Sequence, residues 1–214
     1  MYRIRPIDQI GVKSSARTRT ALIRAAASAF RASGFESARM RNIVRIARTS
    51  LSAVDYHFGT KLDLYCAVLK ASVNELKSDF PFDNKRPELS PRQHLHGLVK
   101  NFLYQLRARS SEKSPLIPLR DIFGPPEAVD VLAREYLSPQ LDSMRAAVTA
   151  VLADKGSDAA TNSITLSLFS QCIFYGLAEN VHASLMIKAP ESIEEIDLLA
   201  MHIVNASVAG LSPD

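Results

Sequence analysis

Residues 40–61, MRNIVRIARTSLSAVDYHFGTK, constrain the fold more than any other stretch of the chain. Two short segments, Met40–Ala47 and Leu51–Phe58, carry apolar residues at helical spacing, and only Arg48, Thr49 and Ser50 separate them. So short a joint between two helices suits a tight helix-turn-helix. Ser50 is placed to cap the second helix, its hydroxyl accepting a backbone N–H from the first turn. Helical geometry turns Ile43, Val44, Ala47, Val54 and Phe58 inward and leaves Leu51, Ser52, Ala53, Asp55, Tyr56 and His57 outward. Small and polar outer residues suit a helix that enters a groove about 12 Å wide, the major groove of DNA.

Charge points the same way. The chain of 214 residues has a net charge of +4, unevenly spread. Residues 1–62 hold twelve Lys and Arg against three Asp and Glu, a net +9, whereas residues 63–214 are at −5. An asymmetry of this size is expected when one half meets a polyanion and the other does not. With 47% apolar residues the chain has ample core material, and its two cysteines, Cys66 and Cys172, lie far apart outside any CxxC frame. That pattern predicts a reducing compartment and no structural zinc. With no signal peptide and no long uncharged apolar run, the sequence predicts a soluble, cytoplasmic protein with no membrane partner.

Along the chain, Met1–Val12 reads as a loose arm in which Arg3 and Arg5 attract phosphates weakly. Leu22, Ile23, Ala26, Ala29 and Phe30 lie on one face of a helix over Ser14–Ser33, with Gly34 as its left-handed stop. Arg17, Thr18 and Arg19 fall at its expected start, where free N–H groups favour a phosphate. The first helix of the motif is expected over Ser37–Ala47, with Ser37 as the nearest cap. Thr60 and Asp63 form a capping box that opens a long helix, Lys61–Asp79, on whose apolar stripe Cys66 reads as a small buried hydrophobe. Further helices are expected at about Pro91–Arg109, Pro115–Phe123, Glu127–Tyr136, Leu141–Leu152 and Ala159–Ile187. Pro190 ends that helix, and a final one opens with a second capping box, Ser192 and Glu195, and carries Ile196, Leu199, Ile203, Ala206 and Gly210 near heptad spacing. Two apolar C-terminal helices exceed what one small core needs, which predicts a homodimer formed through the last two helices.

The fold class is therefore all-α: an N-terminal three-helix helix-turn-helix domain with its arm, residues 1–62, and a larger C-terminal helical domain, residues 63–214, to which the expected dimer surface belongs; ligand binding by that domain is what the family resemblance below implies. Catalytic frames are missing from the sequence: there is no GxSxG, P-loop, GxGxxG or HExxH. His94-x-His96 points to two sides of a helix and has no third ligand at metal spacing, so neither a metal nor another cofactor is expected.

Phe30-(x3)-Gly34-Phe35, then Ile43, Ala47 and Ser50, then Tyr56-His57-Phe58-(x2)-Lys61 resemble the DNA-binding domain of the TetR family of transcriptional regulators. SAVDYHFG is similar to the branch that usually reads A-A-(V/I)-N-Y-H-F-G, with Asp55 in place of its Asn. Ala38 and Arg39 stand where members usually have Thr or Ser, and Arg48 and Thr49 where they commonly have Gly and an aliphatic residue. A non-Gly residue at positive φ costs on the order of 1 kcal/mol, so a differently shaped turn is expected there. Residues 115–178, around Asp121, Pro125-Pro126, Pro139 and Gln171-Cys172, resemble the ligand-binding domain of the CecR-like branch of that family.

The resemblance implies a regulator, usually a repressor, binding a pseudo-palindromic operator in double-stranded DNA and responding to a small-molecule effector. Lys61 and Tyr56 are the phosphate contacts it implies, with Arg17, Thr18, Arg41 and Arg48 as further candidates; base reading falls to Ser52, Ala53 and Asp55, with Ser50 at the helix start and His57 either contact or structural. Phe102, Leu106, Phe123, Tyr136, Gln171 and Tyr175 are the candidates for the ligand cavity, although core packing explains each aromatic ring as well. Gln171, Asn180 and His182, polar residues on apolar helices, suit either the cavity or the dimer interface. Two other readings stay open: a carrier or enzyme using the C-terminal apolar cavity, and a nucleoid-type binder without sequence preference.

Overall fold

The structure is a computed structural model that describes residues 7–79, 88–108, 124–153, 156–177, 184–186, 188, 190 and 192–209. All described secondary structure is helical: α1 (Ile7–Ser37), α2 (Met40–Ile46), α3 (Leu51–His57), α4 (Lys61–Asp79), α5 (Pro91–Ala108), α6 (Pro126–Leu132), a π-helical turn (Ala133–Leu137), α7 (Ser138–Leu152), α8 (Asp158–Leu177) and α9 (Ile193–Ala209). The all-α expectation holds. Two compact units form, one from residues 1–75 and 115–133, the other from residues 76–114 and 134–214.

In the first unit, α1 begins at Ile7 rather than near Ser14, so residues 7–12 are not a loose arm. Gly11 costs a helix interior roughly 1 kcal/mol, too little to end it. Arg17, Thr18 and Arg19 consequently lie well inside α1, and the dipole argument for a phosphate at a helix start does not apply to them. Gly34, at φ 75°, makes the left-handed break that was expected, and residues 35–37 continue as helix beyond it. The next helix starts at Met40, not Ser37: Arg39 is its N-cap, with extended backbone and no side-chain capping bond. Ala38, buried and donating its N–H to the Gly34 carbonyl at 3.2 Å, is taken up by the link.

The turn to α3 keeps a left-handed residue in spite of its sequence, with Arg48 at φ 53°. Ser50 caps α3 as predicted, accepting from the Ala53 N–H at 3.3 Å. Ile43, Val44 and Val54 are buried, Ala47 and Phe58 pack against the same core, and Leu51, Ser52, Asp55 and Tyr56 are exposed. The capping box of α4 forms fully: the Thr60 N–H donates to Asp63 Oδ2 (3.1 Å) and the Asp63 N–H to Thr60 Oγ1 (3.1 Å). Tyr65 of α4 lies edge-on to Phe30, centroids 4.8 Å apart, and Phe35 is 4.9 Å from Tyr65. Ala128 and Leu132 of α6 belong to this same core.

In the second unit, α5 contributes Leu95, Leu98, Val99, Phe102, Leu103 and Leu106, all buried, and packs against α7, α8 and α9. The expected gap between Tyr136 and Leu141 is not a gap, because the π turn runs directly into α7 at Ser138. Pro139 falls in the first turn of α7, directly behind the π turn, and without an N–H it cannot donate back to that turn. The helix expected to reach Ile187 is described to Leu177; Leu185 and Met186 form a turn, with Met186 at φ 55°. The second capping box is present, Ser192 and Glu195 exchanging backbone N–H bonds at 3.1 Å each. On α9 the near-heptad residues Ile196 and Ile203 point into the unit's own core together with Ala200, Val204 and Val208. The exposed apolar residues are their neighbours Ile193, Leu198 and Met201, and on α8 Leu166 and Phe174. The expected helix over Pro115–Phe123, and Gly210, lie outside the described residues.

Two predictions follow from this packing. Arg48→Gly relieves the left-handed strain of the turn and, less the entropy cost of glycine, raises stability by up to about 1 kcal/mol; a lower melting temperature than the parent protein would count against the strain. The Tyr136 hydroxyl donates to Gln105 Oε1 at 3.0 Å in the buried interior, so Tyr136→Phe costs about 1 kcal/mol in chemical denaturation.

Candidate nucleic-acid interface

The helix-turn-helix presents a surface rich in hydroxyl groups, with Ile46 and Leu51 also exposed on the motif. A shallow hollow of about 520 Å³ between α1 and the start of α3 is lined by Ser15, Thr18, Thr49, Ser50, Ser52, Ala53, Tyr56 and His57. Five of these eight lining residues are serines or threonines, groups that donate to phosphate oxygens and also accept from base amino groups. Ser50 Oγ and Ser52 Oγ are 2.9 Å apart, so the capping hydroxyl and the first outward residue of α3 share a hydrogen bond. Tyr56 is 80% exposed, which leaves its hydroxyl free to reach beyond the surface. Its ring meets His57 edge-on at 5.0 Å, and the imidazole is half-buried.

Of the residues assigned to DNA from the sequence, Thr18, Ser50, Ser52, Ala53, Tyr56 and His57 converge on this hollow. Arg17, Arg41, Arg48 and Asp55 are exposed but do not line it. Lys61 is more constrained than a free surface lysine. Its ammonium donates to the Glu36 carbonyl at 3.1 Å and lies 4.8 Å from the centre of the Phe35 ring. Two of its three N–H groups remain for another acceptor. Arg19 also has a defined position, its guanidinium 5.2 Å over the Phe58 ring.

The ligand candidates are brought together only in part. Phe102 stacks on Phe169 at 5.2 Å and lies 6.3 Å from Tyr136, with Leu106 one turn further along α5 and fully buried. Gln171 donates to Ser207 Oγ at 3.1 Å and to Ser167 Oγ at 3.2 Å, linking α8 to α9. Tyr175 lies beside Phe174, centroids 6.2 Å apart. Phe123, Asn180 and His182 are outside the described residues.

Two buried polar residues escaped the sequence reading. Gln105 Oε1 accepts from both Tyr136 OH and Gln140 Nε2 (3.2 Å), while Gln140 Oε1 is buried with no hydrogen-bond partner among the described residues. The available signal was Gln105 itself, polar within the apolar face of α5. Cys66 is half-buried rather than buried, and its neighbours place it beside Arg19. Burial, followed by the Asp63 charge, raises its thiol above the ordinary value, and burial pushes Cys172 up to about 12. Both are protonated thiols at neutral pH. His94 and His96 belong to no group of three metal-ligating side chains among the described residues, and no described helix is long and apolar enough to cross a membrane.

Comparison with known proteins accords with this geometry. Residues 91–211, more than half of the chain, match the family model of the C-terminal domain of the HTH-type transcriptional dual regulator CecR. No curated protein matches the sequence significantly. Among solved structures, a Mesorhizobium loti protein described as a TetR-family transcriptional regulator is similar over 92% of this chain and 97% of its own, at 18% identity and a TM-score of 0.60. A Clostridium perfringens protein described as a fatty acid metabolism regulator is similar over 86% and 97%, at 16% identity and a TM-score of 0.63. A regulator of the TetR/AcrR family from Thermobifida fusca is similar over 91% and 98%, at 19% identity and a TM-score of 0.58. At such identities these structures establish the fold. With the CecR-type C-terminal domain behind a capped helix-turn-helix, the chain belongs to the TetR family of DNA-binding transcriptional regulators, in its CecR-like branch.

Proposed function

We propose that two copies of this chain bind a pseudo-palindromic operator, each inserting α3 into a major groove, with groove centres about 34–36 Å apart. The observation that carries this reading is the hydroxyl-lined hollow beside the exposed face of α3, within the segment of net charge +9. Tyr56, Lys61, Thr18, Arg17, Arg41 and Arg48 hold phosphates; Ser52, Ala53 and Asp55 read bases, with Ser50 fixing the start of α3 and His57 supporting Tyr56. Leu166, Phe174, Leu198 and Met201 on the last two helices supply an apolar surface for the second copy. The protein acts by binding rather than catalysis, as a repressor in the cytoplasm.

The functional division we propose assigns DNA reading to residues 1–62 and sensing and dimerisation to residues 63–214. An effector enclosed near Phe102, Leu106 and Tyr136, with Phe123, Gln171 and Tyr175 as further contacts, controls DNA affinity. Gln140 Oε1, a buried acceptor without a partner, is available to a donor group of that effector. α4 is one covalent route of control, since its residues belong to the first unit as far as Glu75 and to the second from Leu76; the chain also passes between the units at 114–115 and 133–134. Control requires only that the effector bind two conformers with unequal affinity.

Recovering and sequencing the genomic fragments retained by purified protein tests the reading: an enriched inverted repeat is expected, and uniform retention at all sequences would overturn it. On the recovered site, Lys61→Ala weakens binding to all sequences and reduces the slope of log affinity against log salt by about 1. Tyr56→Phe weakens binding by about 1 kcal/mol through one lost hydrogen bond and leaves that slope unchanged. A changed base preference in either variant would contradict the assigned roles.

A further inference from the structure

A second hollow in the first unit adjoins the first and shares His57 with it. It encloses about 450 Å³ between the middle of α1, the end of α3 and the first half of α4. That volume is within the range of small-molecule sites. Arg19 enters it from α1 and Lys70 from α4, while Ile23, Phe58 and Cys66 form its less polar wall.

The two cations are presented differently from those of the helix-turn-helix. Arg19 lies with its guanidinium over the face of Phe58. A cation over a ring face still has N–H groups to offer a carboxylate. Neither Arg19 nor Lys70 pairs with a carboxylate among the described residues. The opposing charges are Asp63, whose Oδ2 already accepts from the Thr60 N–H and hydroxyl, and Glu127, whose charge also acts on Cys66. His57, the remaining titratable side chain of the wall besides Cys66, bears on Tyr56 and Phe58 by ring contacts.

We propose that this hollow binds a small organic carboxylate, its charge on Arg19 and Lys70 and its apolar body against Ile23 and Phe58. A bare inorganic anion would satisfy the cations and leave the apolar wall against water, so an organic body is the better fit. The site is built from residues of the first unit, none of them among the effector contacts proposed above, and its existence does not depend on the reading of DNA above. Since α3 ends in its wall, occupancy adds negative charge to the unit that meets DNA. Only this consequence rests on that reading; by linkage, DNA and carboxylate then weaken one another.

Benzoate, its neutral isostere benzamide and inorganic phosphate, titrated into the full chain by calorimetry, test the site. Saturable benzoate binding is expected, at least tenfold tighter than that of benzamide or phosphate, and weakened at least tenfold in both Arg19→Gln and Lys70→Gln. Lys70 is exposed and outside the core, so Lys70→Gln keeps the parent melting temperature even if Arg19→Gln does not. No saturable binding, equal binding of benzamide or phosphate, or unaltered benzoate binding in Lys70→Gln would overturn the proposal. Saturating benzoate should also weaken binding to the recovered operator. An unchanged operator affinity would overturn the coupling and leave the carboxylate site standing.

Discussion

Phe30, Phe35 and Tyr65 form the contact on which the DNA-binding unit depends. Phe30 and Tyr65 are fully buried, and the edge-to-face pair they make joins α1 to α4 directly. Aromatic pairs of this kind contribute about 0.5–1.5 kcal/mol beyond the area they bury. Gly34 makes the geometry possible, because its left-handed backbone turns the chain so that Phe35 also reaches Tyr65. Lys61 then closes the corner, its ammonium bridging the Glu36 carbonyl and the Phe35 ring. With α1 and α4 fixed in this way, α2 and α3 have one core to pack on, through Ile43, Val44 and Val54.

The two units use polar groups in opposite ways. On α3 the hydroxyls and the Tyr56 ring stay at the surface, where water satisfies them until a partner replaces it. In the second unit Gln105, Tyr136 and Gln140 are enclosed among apolar helices, where an unmatched polar atom is costly. Gln105 Oε1 settles two donors at once and leaves Gln140 Oε1 over. The same chemistry of donors and acceptors is thus exposed in one unit and enclosed in the other.

What was legible in the sequence was local. Ser50, Thr60 with Asp63, and Ser192 with Glu195 declare their caps within three residues, and all three form. The apolar faces of α4 and α5 were equally plain. Less legible were features set by distant partners: the Gln105 and Gln140 pair lies 35 residues apart, and Lys61 meets Glu36 across 25. The heptad spacing on α9 was real, yet it marked the face turned to α5 and α8, since periodicity alone does not say which neighbour covers a stripe. The turn at Arg48 kept its left-handed form against residue preference, because packing of α2 and α3 on one core outweighs about 1 kcal/mol of local strain.

The π turn at Ala133–Leu137 has a different kind of consequence. A π turn is an α-helix with one surplus residue looped into its wall, so it is the natural place for a length change in this part of the chain. Deleting a single residue there removes the surplus residue that the π turn accommodates. A one-residue deletion inside α7 would instead turn the rest of that helix by about 100° and expose Val148 and Leu152.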